Sequence, residues 1–283
     1  MREVSARFGE NDELLGTFCL PEAPTTGARA VLLFNAGMLP RGGPHRVQVK
    51  LARALAARGL PSLRFDLHAL GDSARASGQL SYAAQVQQDL RAALDALQRQ
   101  TGLDAFAVFG FCSGIVPSFR LAQSEPRVRT LALYDGFDLM DWPSRARYYL
   151  RRLRQYGVGL NGFAHYLRRA RLFWGALLLR LRDRGGGAAA DADGDDLPVP
   201  RLLRGLGQIA ATGVRVTLIH AGSAFGLSHG QRQMRAALDR QDARQVDAVF
   251  LEAVDHLVTS VPAQQAFIAA VCAALAPTGS ETR

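Results

Sequence analysis

Residues Gly110-Phe111-Cys112-Ser113-Gly114 constrain this chain more than any other stretch. They follow an apolar β-type run, Phe106-Ala107-Val108-Phe109, and open a helical pattern from Ile115 to Gln123. A chain that passes from buried strand to helix within so few residues brings two backbones close together. The two glycines remove the side chains that would block this approach. The middle residue is thrust out at the carboxyl end of the strand. Here it is cysteine, a strong nucleophile once deprotonated, at a helix amino end that favours the thiolate. The competing assignment is a buried structural cysteine, the commonest fate of a lone thiol.

The 283 residues, 48% of them hydrophobic, suffice for one large α/β domain with an insertion, or for two small domains. Cys19, Cys112 and Cys272 form neither a metal-ligand spacing nor a disulfide framework, which fits a reducing compartment. The amino-terminal residues 1–5 lack an apolar signal region, and the uncharged apolar stretch 172–179 is too short to span a bilayer. The expectation is a cytoplasmic protein that uses no metal and no cofactor. The formal charge of +9 has a location. Residues 141–184 hold eleven arginines against Asp141 and Asp183, so the rest of the chain is neutral overall, and Lys50 is the sole lysine.

Strands are expected at 4–8, 14–20, 30–34, 61–67, 106–112, 128–134, 214–219 and 248–252. Helices are expected at 45–58, 82–100, 115–123, 200–211, 231–240 and 262–275. Alternation breaks between the sixth and seventh strands. There the Arg-rich segment is helical in pattern, and residues 185–198 have low-complexity composition. The chain therefore divides into an α/β core, 1–140 and 206–283, and a helical cap insertion, 141–205.

This order of parts resembles the α/β-hydrolase superfamily over essentially the whole chain outside the cap. Three stretches look like hydrolases associated with exosortase systems and their serine-aminopeptidase-like relatives. They are Arg41-Gly42-Gly43-Pro44-His45-Arg46, the run from Leu63 to Ser73, and Val254-Asp255-His256. Dienelactone hydrolase shares a cysteine at the elbow. The resemblance implies an α/β-hydrolase fold, with a mostly parallel eight-stranded sheet flanked by helices and an inserted helical cap.

It also implies roles. Cys112 is the candidate nucleophile, and Ser113 lies one residue out of frame. His256, just past the last strand, is the candidate base; its competing role is a surface-loop histidine. Asp255 beside it faces the other way on an extended chain. The acid usually follows the seventh strand, but His220-Ala221-Gly222-Ser223-Ala224-Phe225 holds no carboxylate. Asp135 or Asp138, after the sixth strand, can take its place, Asp135 being nearer the strand end; alternatively a Cys–His pair works without an acid. The oxyanion donors would be the backbone N–H groups of Ser113 and Met38. Arg41, His45 and Arg46 form a cluster suited to a substrate carboxylate or phosphate, or else to salt bridges with Asp66 and Asp72.

The cap stripe Phe163, Tyr166, Leu167, Ala170, Trp174, Leu177, Leu178 and Leu181 suits a lid helix. With its arginines it also suits an interfacial helix on anionic lipid at the inner membrane face, or docking of an acidic carrier domain. Nucleic acid is not an expected partner, because the charge is confined to a hydrophobic segment without a recognition motif. The expected function is an esterase or thioesterase acting on a small-molecule or carrier-bound acyl substrate through an acyl-enzyme. An acyltransferase or cyclase, and a non-catalytic relative binding a ligand or acidic partner through its cap, are the alternatives.

Overall fold

The run Ala30-Val31-Leu32-Leu33-Phe34 is apolar at every position and buried at every position. A strand of this kind is covered on both faces, and its side chains alternate between the two covers. Leu32 and Phe34 enter one core together with Phe106 and Val108; Val31 and Leu33 enter the other with Ala107 and Phe109. The computed structural model describes residues 1–35, 37–76, 78, 80–136, 197–222 and 231–277. The expected cap helices and Asp138 lie outside the described residues.

Eight strands form one sheet: β1 (Arg2–Phe8), β2 (Leu14–Leu20), β3 (Ala30–Phe34), β4 (Ser62–Phe65), β5 (Phe106–Phe111), β6 (Val128–Tyr134), β7 (Arg215–Ala221) and β8 (Asp247–Leu251). Their spatial order is β1-β2-β4-β3-β5-β6-β7-β8. β2 runs antiparallel to both of its neighbours, and every other pairing is parallel. Phe111 stands beside Tyr134, and Tyr134 beside Ile219. The residues that follow β5 and β6 and those closing β7 therefore meet at one carboxyl edge.

Among the described residues six α-helices cover the sheet: α1 (Val47–Ala56), α2 (Tyr82–Thr101), α3 (Ile115–Ser124), α4 (Val199–Ala211), α5 (Gln231–Asp239) and α6 (Val261–Leu275). α1 and α6 close one face with Leu51, Leu55, Phe267 and Val271; α2, α3 and α4 close the other with Leu90, Leu94, Phe119 and Leu206. Ser81 caps α2 by accepting from the Ala84 N–H, and Ser260 caps α6 by accepting from the Ala263 N–H. Among the described residues no helix is long and apolar enough to cross a membrane.

One expected boundary moves. The core was expected to resume at residue 206, but α4 is continuous from Val199 and buries Leu202 and Leu203 alongside Leu206 and Ile209. A helix with its apolar stripe on the sheet cannot be divided between core and insertion. Residues 199–205 thus belong to the core.

Phe267 of α6 is fully buried beneath the carboxyl edge of the sheet. Its ring centroid lies 4.8 Å from that of Tyr134, 5.9 Å from that of Phe109 and 6.0 Å from that of Phe111. Phe267→Ala should cost about 3–5 kcal/mol through lost burial and the cavity left behind. Urea unfolding is the measurement, with a lowered midpoint and an unchanged slope as the expected outcome.

Candidate active site

β5 ends at Phe111, and Cys112 takes up a left-handed conformation with φ 52°. A single 3-10 turn, Cys112–Gly114, then leads into α3. Such a conformation costs a non-glycine residue about 1–3 kcal/mol, so the surrounding structure must enforce it. The approach of strand and helix is correspondingly tight. A Cβ on Gly110 would stand 2.6 Å from Ser118 Oγ and 2.7 Å from the Gly114 carbonyl oxygen. Cys112 is partly exposed, whereas Cys19 and Cys272 are buried and burial pushes both of their thiols up.

Asp135 follows β6 directly and is itself left-handed, with φ 50°. Its N–H donates to the Ile219 carbonyl at 3.0 Å, which extends the β6–β7 pairing by one residue. The next residue passes under the elbow: a Cβ on Gly136 would lie 2.2 Å from the Cys112 carbonyl oxygen. Only glycine fits there. Asp135 Oδ2 lies 2.6 Å from His256 Nδ1. Its Oδ1 lies 3.3 Å from His220 Nδ1 and 3.4 Å from the Ala221 backbone nitrogen, which donates to it.

Burial alone would raise the Asp135 carboxyl, but the His220 imidazole beside it and the hydrogen bond with His256 outweigh burial and hold the group below its ordinary value. The His256 imidazole is pushed up to about 10, first by its hydrogen bond to Asp135 and next by one with the Cys112 thiol. One ring thus touches both the elbow sulfur and the buried carboxylate.

The His256 loop has its own supports. Asp255 accepts from the Leu257 and Thr259 N–H groups, each at 3.0 Å, and from the Thr259 hydroxyl at 2.9 Å. It faces its own turn, away from Cys112. The Tyr134 hydroxyl donates to the Asp255 carbonyl at 3.0 Å, and its ring lies stacked with His256 at 6.5 Å. Val258, buried and β-branched, is left-handed with φ 56°. Such an outlier needs enforcement, and the Val258 N–H supplies part of it by donating to the Asp255 carbonyl.

The loop after β3 is tied to the elbow. The Gly37 N–H donates to Ser113 Oγ at 2.7 Å. Met38, the expected second oxyanion donor, follows on this loop and is 84% exposed.

Arg41 takes the second of its two expected roles: its guanidinium pairs with Asp66 at 2.5 Å and with Asp72 at 2.6 Å, so its charge is compensated within the fold. Asp66 is fully buried; it also accepts from Asn35 Nδ2 at 2.9 Å and from the Arg41 and Asp72 N–H groups. His45 and Arg46 are exposed and both left-handed, with φ 49° and 58°, where the loop enters α1. The contact of His220 with Asp135 and the stacking of Tyr134 on His256 are absent from the sequence-based expectations. The available signal for His220 was its place at the end of β7, where an acid was sought.

No family model and no curated protein matches the chain. Solved structures do. The thioesterase domain of a curacin biosynthetic pathway is 16% identical, with 96% of this chain and 99% of that one covered at a TM-score of 0.56. An α/β serine hydrolase homologue from Coxiella burnetii is 14% identical, with 97% of each chain covered at 0.55. The esterase domain of a Rhodothermus marinus protein is 17% identical, with 96% of each covered at 0.55. Identities this low speak to architecture alone. The chain has the α/β-hydrolase fold, as its strand order and parallel pairing independently indicate.

Two outcomes follow from these contacts. Asp66→Ala should cost about 3–5 kcal/mol, because it leaves a partly buried guanidinium and several inward-facing N–H groups without their shared acceptor. Denaturant unfolding reads this directly. His256 is raised from its usual 6.5 to about 10. A group raised in the folded state stabilises in full below its unfolded value and loses that contribution as pH rises through the folded one. In Cys112→Ala, where the imidazole has no thiol proton to take, unfolding free energy should therefore fall as pH rises above 6.5, and that slope should flatten when Asp135→Asn is added. An unchanged slope in the variant would mean that the imidazolium does not depend on this carboxylate.

Proposed function

We propose that this chain is a hydrolase that cleaves acyl esters or thioesters through a Cys112–His256–Asp135 triad and an acyl-thioester intermediate. The observation that carries this reading is the shared imidazole of His256. It hydrogen-bonds Asp135 at 2.6 Å on one side and the Cys112 thiol on the other. The esterase and thioesterase domains among its structural neighbours support the same reaction class. Asp135 answers the lack of a carboxylate after β7, which was the reason to consider a non-catalytic relative.

The chemistry runs as thiolate attack. His256, raised to about 10 by its hydrogen bonds with Asp135 and Cys112, takes and holds the proton of the attacking thiol. The sulfur adds to the acyl carbonyl carbon, and the carbonyl oxygen becomes an oxyanion received by the N–H groups of Ser113 and Met38. Collapse breaks the bond to the leaving alkoxide or thiolate, which takes the His256 proton. The neutral imidazole then takes a proton from water. The resulting hydroxide adds to the thioester, the Cys112 thiolate departs, and a carboxylic acid and an imidazolium remain. The Ser113 hydroxyl has a separate task, fixing Gly37 and so the loop that carries Met38. Exposed Met38 and Leu257, next in chain to this loop and to His256, supply apolar surface suited to an acyl chain. A thioester intermediate is also open to amines and thiols, which makes acyl transfer the second outcome of the same site.

Purified wild type should turn over p-nitrophenyl acyl esters and acyl N-acetylcysteamine thioesters, with a transient acyl adduct on Cys112 seen by intact mass. Cys112→Ala should lose about 10⁶-fold in kcat with the fold intact, and Asp135→Asn about 10⁴-fold or less. Full turnover by Cys112→Ala would overturn the mechanism. Release of acyl-amine in place of acid when amines compete would assign transfer.

A further inference from the structure

The carboxylate of Asp135 has two oxygens and two imidazoles. Oδ2 faces His256 Nδ1 at 2.6 Å, and Oδ1 faces His220 Nδ1 at 3.3 Å, with the Ala221 N–H on the same oxygen at 3.4 Å. His220 is the penultimate residue of β7, and Asp135 follows the last residue of β6 on the neighbouring strand. Both side chains are almost wholly buried, at 2% and 1% exposure, while His256 keeps 20%. The inner imidazole therefore cannot exchange its role with the outer one, since only His256 reaches the thiol and the solvent.

From this geometry we infer that His220 is a positioning residue: it holds Oδ1 of Asp135 so that Oδ2 is presented to His256, and thereby sustains the thiolate–imidazolium pair. The inference rests on the triad reading above. A carboxylate on a one-residue strand extension, with φ of 50° and glycine after it, has a backbone that is fixed but a side chain free to rotate about χ1 and χ2. An imidazole and a backbone N–H on one oxygen remove that freedom. The titratable groups around the carboxylate are His220 from β7, Tyr134 from β6, His256 from the loop after β8, and, beyond the latter, the Cys112 thiol from the elbow. A donor at the His220 Nδ1 position favours the ionised carboxylate, and through it the charged His256 and the thiolate.

The amides of Asn and Gln distinguish this role from packing. Asn at 220 places an N–H close to where Nδ1 stands, whereas Gln places it near Nε2; His220→Leu keeps bulk and removes both. Two readouts apply to each folded variant: kcat and KM on a p-nitrophenyl ester, and the pH dependence of iodoacetamide alkylation of Cys112, identified by peptide mass. His220→Gln and His220→Leu should lose about 10–100-fold in kcat with KM unchanged, and their alkylation midpoint should move to higher pH. His220→Asn should recover most of both. Should His220→Leu fail to fold, the Asn–Gln pair decides by itself. Equal losses in Asn and Gln would make His220 a packing residue and overturn the inference. Wild-type midpoints in all variants would overturn it as well, leaving the triad intact. A wild-type Cys112 that alkylates only as an ordinary thiol would instead sink the triad reading.

Discussion

A charge held where water does not reach it organises this structure. Asp135 is almost completely buried, and an ionised carboxylate in that position is unfavourable unless every oxygen is occupied. Two imidazoles and a backbone N–H occupy them. Those groups arrive from two segments: His220 and the Ala221 N–H from the end of β7, and His256 from the loop after β8. The elbow is drawn in from a third direction, because the backbone after Asp135 passes directly beneath Cys112 and tolerates no side chain. The carboxylate thus links the ends of β5, β6, β7 and β8 into one unit.

Strain gathers at the same place. Cys112, Asp135 and Val258 are left-handed without being glycine, and each stands at or within two residues of one that converges on the candidate site. At about 1–3 kcal/mol apiece, such residues persist only because the packed layers beneath them leave no alternative. Tyr134, Phe109, Phe111 and Phe267 form that base, with ring centroids 4.8–6.3 Å apart. A buried aromatic side chain contributes about 1.5–3 kcal/mol through removal from water, so the cluster is of the right size to offset the strain above it. Rigid packing below and strained backbone above are how a fold fixes a few side chains in one geometry.

The placement of Asp135 follows from the order of parallel strands. β6 and β7 are neighbours in register, with Tyr134 beside Ile219. Residues just past either one reach the same space. A carboxylate after β6 therefore reaches the His256 imidazole as one after β7 would, and the end of β7 carries His220. Charge compensation likewise decides between two roles for Arg41. Its guanidinium meets a fully buried Asp66, which also gathers N–H groups from the turns after β3 and β4. The arginine serves the architecture of the loop, while His45 and Arg46 remain exposed.

Local physics was legible along the chain. Fully apolar five-residue runs specify strands covered on both faces, and Val128–Tyr134 has the bounds expected from its pattern. The stripe of α2 and the glycines of the elbow are likewise properties of neighbours in sequence, governed by periodicity and by steric rules that act over a few residues. The pair Cys112 and His256 was nameable because each stands beside a strand end. Which carboxylate meets His256 was not, since the contact joins residues 121 apart and depends on how strands are ordered in the sheet. The same holds for His220, for the commitment of Arg41, and for the start of the core at Val199 and not at residue 206. Sequence determined the elements and the chemistry they carry to one edge. Tertiary structure decided which groups face one another there, because hydrogen bonds and burial are set by distances that no local pattern encodes.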